Sequence, residues 1–453
     1  MMLSEKAPSL DQGDRMDIIS CLPDLSGLEI VDIGAGIGRY TGPFAKVAEH
    51  VLAVDFMESF LEKNKETHGH LNNVSFELND AVNLKLDPES KDFLFTNWLL
   101  MYLTDSEVVD FLGNCLQWLR PGGCLHLRES CSEPSSKNKK GAFQKSETEN
   151  PTFYRFSSQY IELLKRCHIE NSDGNTWTFR VLWAKSVPTY IERENNWRQV
   201  HMLVEKVSVT DSVQTMPRTD LLKFFSTTCR EKQLEIDEAD LKAREFLENC
   251  LSPVEEVLLK VLSHLTQDSS AAIIGGNRGL LEVRGTVLSE KLTSKTTTYE
   301  TDAYNFRSNL TQAHNKKDTR VRVNWISDFG ADPVFWHSEK PFDIVLGCNL
   351  FGSNAQNAGV LVQNLQKVLC DSGRIVSVES KLAPDNGLKL LKTTLEKCGF
   401  SNGLLRITDV QSSIQESLKR LSAAENPNST WLSKEMDLCN GQKHWHLVEV
   451  RFN

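Results

Sequence analysis

Two periods of apolar residues alternate along the first half of this chain. Apolar runs of strand length cover residues 28–33, His50–Asp55, Val74–Leu78 and Lys91–Asn97. Between them the apolar positions fall at helical spacing. Val108, Phe111, Leu112, Cys115, Leu116 and Leu119 make one such stripe. It opens on Thr104 and Glu107, spaced as a capping box, and Pro121-Gly122-Gly123 ends it. A fifth strand follows at 124–128. A short helix is expected over 14–22 and another from Ser157, with antiparallel strands across 177–209 completing the sheet. This βαβαβ rhythm predicts a parallel sheet with helices on both faces.

The rhythm then restarts. Residues 211–262 are polar with helical spacing and read as a connector. From residue 268 a second α/β pattern begins, with strands at 321–325, 342–349 and 373–378. The string FDIVLGCNLF stands in this half where KDFLFTNWLL stands in the first. The expected domains are therefore 1–210, 211–262 and 263–453, the last a decayed copy of the first. At 453 residues the chain is too long for one ordinary core.

Composition narrows the classes. Hydrophobic residues make up 40% and charged residues 25%, which is globular usage. A net charge of −10 disfavours a nucleic-acid partner, because such a surface repels phosphates. No apolar run approaches the roughly eighteen residues that span a bilayer, so membrane insertion is not expected. Eleven cysteines without C-x-x-C pairs fit reduced thiols in the cytoplasm better than a disulfide framework or a zinc site, and no metal is expected.

The candidate chemistry sits where the first strand ends. Asp32, Gly34, Gly36 and Gly38 form D-x-G-x-G-x-G, a strand entering a glycine turn and then a helix. Glycines let a ligand approach the backbone, and the helix start points free N–H groups at it. Asp55 closes the next strand about twenty residues on, as an acid for ribose hydroxyls would. A dinucleotide fingerprint would place the third glycine one residue later.

The turn resembles motif I of the class I S-adenosylmethionine-dependent methyltransferases. With VDIGAGIGRYTGPFA, AVDFMES, TNWLLMYLTD and RESC, the chain resembles the phosphoethanolamine N-methyltransferases, in the nematode form that keeps a working N-terminal domain. The resemblance is close over residues 1–205 and looser beyond. It implies a Rossmann-like methyltransferase domain followed by a degenerate one. The implied reaction is transfer of a methyl group from S-adenosylmethionine to the amine of phosphoethanolamine, leaving S-adenosylhomocysteine. That is the first step toward phosphocholine for phosphatidylcholine synthesis, with a partner enzyme for later methylations.

The resemblance also implies site residues. Asp32, Gly34, Gly36 and Arg39 belong to the cofactor turn. Asp55, with Phe56 beside it, takes the ribose; Asp80 and Ala81 meet adenine; Asn97 sits under the methionine moiety. Ser130, Ser135, Ser136, Lys140, Tyr154 and Arg155 are expected on the phosphate, for which hydroxyls and cations suit. Trp98 and Tyr102 are expected at the amine as aromatic walls and catalytic groups. Tyr102 stands where single-domain relatives carry His, and the Tyr that partners that His would fall upstream of residue 1. Two other readings stay open: a methyltransferase for another small acceptor, which needs an apolar cleft at 130–155, and a cofactor-binding regulatory protein.

Overall fold

The computed structural model describes residues 7–131, 152–209, 216–247, 251–262, 269–274, 284–285, 289, 295–327, 341–351, 358–380, 387–398, 404–423 and 444–452. The chain divides into two units, Met1–Gln233 and Leu234–Asn453.

The first unit begins with helix α1 (Ala7–Ile19), which starts earlier than its apolar pattern suggests. Strands β1 (Glu29–Ile33), β2 (His50–Asp55), β3 (Val74–Leu78), β4 (Lys91–Asn97) and β5 (Leu119–Ser130) alternate with helices α2 (Thr41–Ala45), α3 (Glu58–His68) and α4 (Asp105–Trp118). Then come α5 (Ser157–Leu164), β6 (His168–Glu170), β7 (Thr176–Ser186), α6 (Pro188–Glu194) and β8 (Gln199–Ser208). The sheet order is β7-β8-β5-β4-β1-β2-β3. The five strands from β5 to β3 are parallel, and β8 and β7 add antiparallel to β5. Helix α4 starts on the expected capping box, with the Glu107 N–H donating to Thr104 Oγ1 and the Thr104 N–H to Glu107 Oε2. Its stripe of Val108, Phe111, Leu112, Cys115 and Leu116 is buried. Two apolar faces, helix and sheet, close the core because neither can be left in water.

The expected connector does not stand apart. Helix α7 (Arg218–Lys223) and the π-helical turn Phe224–Thr228 lie in the first unit, and α8 (Cys229–Leu247) runs across the division. Helix α9 (Pro253–Leu262) buries Val254, Val257, Leu258 and Leu262 in the core of the second unit. Its apolar stripe requires burial that a free connector would deny it.

The second unit repeats the topology. Its strands are β9 (Ala271–Ile274), β10 (Thr296–Glu300), β11 (Val321–Ile326), β12 (Phe342–Cys348), β13 (Leu369–Glu379), β14 (Leu405–Asp409) and β15 (His446–Arg451). Their order is β14-β15-β13-β12-β9-β10-β11, the first unit's order again. Small details repeat too. Asp92 Oδ2 accepts the Glu29 N–H at 2.9 Å, and Asp343 Oδ2 accepts the Ser270 N–H at 2.7 Å. Trp98 and Asn349, each just past its fourth strand, both have positive φ, 58° and 56°. The second glycine turn, 275–279, lies outside the described residues, but its approach is apolar, with Ile273 at the position of Asp32.

Candidate active site

In the first unit, β1 lies between β2 and β4, where the chain's crossovers leave in opposite directions. Open α/β sheets bind ligands in the crevice beyond the carboxyl ends of their strands at that point. Strand β1 runs into Gly34, Gly36 and Gly38, with φ of 76°, 56° and 88°. A Cβ at Gly36 would meet nothing within 4 Å, so the turn borders open space there. A Cβ at Gly38 would lie 2.2 Å from Asn64 Oδ1, so that glycine serves the packing of the turn on α3.

Asp32 is 2% exposed. It accepts the Thr41 hydroxyl at 2.9 Å, and Thr41 Oγ1 in turn accepts the Asn64 amide at 3.0 Å. Burial, reinforced by the charge of Asp55 and partly offset by Thr41, pushes its carboxyl up to about 7. Asp32 thus fastens the turn to α2 from inside.

Asp55 ends β2. Its Oδ2 accepts the Gly36 N–H and its Oδ1 the Met57 N–H, each at 2.8 Å. These bonds fix the carboxylate beside the turn, and each oxygen keeps lone-pair capacity. Phe56, Leu78 and Val82, at or just past the ends of β2 and β3, are exposed apolar side chains. An acid flanked by open apolar surface suits a nucleoside. Asp80 accepts the Val82 and Asn83 N–H groups on Oδ1 and the Asn83 amide on Oδ2. These bonds, the Asn83 side chain foremost, hold its carboxyl below the usual range. Ala81 is buried beside it.

Arg39, expected at the cofactor, is held by α1 and lies 5.8 Å from the Trp98 ring centroid. Its guanidinium pairs with Asp11 and, at 2.8 Å, with Asp14 on α1. Asp14 also meets Arg128 Nη2 at 3.3 Å, so α1 is tied both to the turn and to β5. Arg128 Nη1 donates to Asn97 Oδ1 at 3.2 Å. Trp98 follows in left-handed backbone, a strained conformation for a bulky residue. Its indole N–H donates to Gln199 Oε1 at 2.8 Å, and the Arg128 guanidinium lies 3.6 Å from its ring centroid. One indole face is therefore closed to a second cation, which corrects the picture of Trp98 as an open aromatic wall.

Tyr102 ends the 3-10 turn Leu100–Tyr102 and is 54% exposed. Burial, then the nearby Tyr154 and Glu129, push its hydroxyl up, so it stays protonated. Tyr154 is half-buried, and the N–H of Phe153 just before it donates to Met101 O at 2.6 Å, next to Tyr102. Arg155 is the clearest correction. It was expected on phosphate, yet it is 3% exposed. Its Nε donates to Asp105 at 2.7 Å, Nη1 to Leu100 O at 2.9 Å and Nη2 to Leu103 O at 2.7 Å. Ser130 Oγ accepts the Gln199 amide at 3.0 Å. Ser135, Ser136 and Lys140 lie outside the described residues.

Several site residues escaped sequence reasoning: Asp14, Arg128, Glu129, Tyr190 and Gln199. Glu129 is fully buried and takes the N–H groups of Leu99 and Leu100 on Oε1 and of Met101 on Oε2. One signal was present. Arg128 and Glu129 are adjacent charges near the end of a strand that buries Leu125 and Leu127, and such charges are buried only with partners.

The sheet order, the glycine turn and the acid ending β2 define a class I S-adenosylmethionine-dependent methyltransferase. A methyltransferase domain family matches residues 30–123. The chain is 36% identical to phosphoethanolamine N-methyltransferase 1 of Caenorhabditis elegans over 383 residues, 84% of this chain and 79% of that one. It is 40% identical over 210 residues to phosphoethanolamine N-methyltransferase 3 of Arabidopsis thaliana, 46% of this chain and 41% of that one. Among solved structures, Haemonchus contortus phosphoethanolamine N-methyltransferase 1, in complex with phosphoethanolamine and S-adenosylhomocysteine, matches with a TM-score of 0.83 at 34% identity. That match covers 100% of this chain and 93% of the other. The chain belongs to the phosphoethanolamine N-methyltransferase family.

Proposed function

We propose that this protein transfers the methyl group of S-adenosylmethionine to the amine of phosphoethanolamine, a step toward phosphocholine, in the cytoplasm, with a partner enzyme for later methylations. The observation that carries the reading is the whole-chain likeness to the Haemonchus structure holding phosphoethanolamine and S-adenosylhomocysteine. Among the described residues no helix is long and apolar enough to cross a membrane, and no disulfide joins the described cysteines. Both fit that location.

The cofactor, when bound, supplies an electrophilic methyl on a sulfonium. Asp55 accepts the ribose hydroxyls, Phe56 and Ala81 flank adenine, and the spare lone pairs of Asp80 Oδ2 receive the adenine amino group. Gly34 and Gly36 let the methionine part lie on the turn, with Asn97 beneath it. Ser130 and Tyr154 donate to the phosphate, joined by Ser135, Ser136 and Lys140. Trp98 and Tyr102 stand at the amine. The nitrogen must lose a proton before attack, and holding it in line with the breaking bond supplies much of the rate.

A steady-state methyl-transfer assay of the purified chain tests this. Turnover with phosphoethanolamine and none with ethanolamine is expected. No turnover with any phosphobase overturns the reading.

A further inference from the structure

Ser130 and Gln199 face each other across β5 and β8, and three side chains link there in a line. The Trp98 indole N–H donates to Gln199 Oε1 at 2.8 Å, and Gln199 Nε2 donates to Ser130 Oγ at 3.0 Å. The polarity of this line is fixed at one end. An indole nitrogen can only donate, so the amide must turn its oxygen to Trp98 and its NH₂ to Ser130. The indole itself cannot swing away. Arg128 covers one face at 3.6 Å, and Tyr190 packs edge-on at 6.3 Å. Gln199 is 4% exposed, so water does not compete for its amide.

We propose that Gln199 is a positioning residue that occupies one lone pair of Ser130 Oγ and leaves the Ser130 proton to donate to the substrate's phosphate. Ser130 Oγ already accepts from the amide, and among the described residues it donates to none. Its proton is left for an acceptor, which a phosphate oxygen is and an ammonium is not. The line therefore aims the Ser130 proton at the phosphate end of a phosphobase and helps orient it. The inference rests on the proposed function.

The test is calorimetric titration of phosphoethanolamine into the full chain loaded with S-adenosylhomocysteine. In Gln199→Glu an ionised carboxylate accepts from both Trp98 and Ser130, so the serine proton turns inward and its donation is lost. A hydrogen bond to a charged group is worth about ten- to hundredfold in affinity. Phosphoethanolamine should thus bind at least about tenfold more weakly than to wild type near pH 8.5. When protonated, the same carboxyl imitates the amide, accepting from Trp98 and donating to Ser130. The ratio of variant to wild-type dissociation constants should therefore fall toward one as pH drops to about 6, a dependence that mere loss of packing would not create. Affinity for S-adenosylhomocysteine should change less than about twofold. Ser130→Ala should weaken wild type yet add little in the Gln199→Glu background. Trp98→Phe, which leaves the amide free to flip, should cost part of the phosphobase affinity. Wild-type-like phosphoethanolamine binding by Gln199→Glu across this pH range overturns the proposal, as does equal weakening of both ligands. A wild type that does not bind phosphoethanolamine overturns the proposed function instead.

Discussion

Glu129 and Arg155 hold opposite ends of the same short turn. The carboxylate takes the N–H groups of Leu99, Leu100 and Met101, while the guanidinium takes the carbonyls of Leu100 and Leu103. An anion at the N-terminal end and a cation at the C-terminal end also match the turn's dipole. The turn carries Tyr102 and leads away from Trp98, so this pair sets the geometry around Tyr102. The second unit keeps half of the arrangement: Glu379 Oε1 accepts the Phe351 N–H at 3.2 Å.

Arg155→Ala should therefore act on the fold before it acts on phosphate. It strips two buried carbonyls of their donor and Asp105 of its partner. A loss of about 3 kcal/mol is expected, read as a lowered denaturation midpoint of the first unit. Arg155→Lys should recover only part, because one ammonium cannot reach three acceptors on different sides. Unchanged stability with a raised KM for phosphoethanolamine would return Arg155 to the phosphate site.

Asp32 predicts a pH dependence. Its folded carboxyl is raised from 3.8 to about 7, chiefly by burial, so the folded state holds a proton that the unfolded chain has released. Stability from this group is full below about pH 4 and is lost as pH rises toward about 7. Asp32→Asn keeps an oxygen for Thr41 and does not titrate. The stability of wild type relative to Asp32→Asn should fall by about 4 kcal/mol across that window, measured by denaturant unfolding at several pH values. A difference that is flat or rising with pH contradicts this.

Asp55→Ala should weaken S-adenosylmethionine binding at least tenfold, about 1.4 kcal/mol, by calorimetry. The structure adds a second cause to the lost ribose bonds. The N–H groups of Gly36 and Met57 lose their acceptor, and the turn loses its fixed place. Asp55→Asn, which keeps one acceptor oxygen, should fall between the two.

The sheet was legible because its evidence is local: strand-length apolar runs, a capping box and a glycine turn each declare themselves within a few residues. Thr104 and Glu107 are three apart and behave as read. The site's polar framework was not legible, because its partners are remote. Asp14 meets Arg128 across 114 residues, and Trp98 meets Gln199 across 101. Arg155 was misread for a related reason. Residue type says that arginine suits phosphate, but burial and neighbours decide what a given guanidinium can reach. Strand β10 went unread because Thr296-Thr297-Thr298 carries little apolar signal, although all three are buried.

That strand ends at Glu300, the register equivalent of Asp55. An acid survives there, but Glu300 Oε1 accepts the Asn309 amide at 2.6 Å, and Ile273 replaces Asp32 on the neighbouring strand. The full chain should therefore bind about one equivalent of S-adenosylhomocysteine, and Glu300→Ala should leave its affinity unchanged. A stoichiometry near two would show a second working site.

Burial, with Tyr154 and Glu129 nearby, pushes the Tyr102 hydroxyl up, so Tyr102 is held protonated. A neutral phenol cannot serve as a strong base, but its oxygen can accept from the amine and orient it. Tyr102→Phe should therefore lower kcat, by about tenfold if one such bond is made only in the transition state. The pH profile should show no ionisation of Tyr102 below about pH 10, the ordinary phenol value above which it is pushed. Tyr154→Phe should act mainly on KM for phosphoethanolamine, since a phosphate contact is equal in ground and transition states. The proposed amine pocket also sets which step is run. In that proposal the Arg128 guanidinium, which covers one face of Trp98, limits the room for a growing methylammonium. One added methyl in a tight pocket is worth about 1–3 kcal/mol. Phosphoethanolamine should thus be used roughly ten- to hundredfold better than its monomethyl product. Steady-state kinetics with both phosphobases decides it: equal or better use of the methylated substrate would place this enzyme at a later methylation.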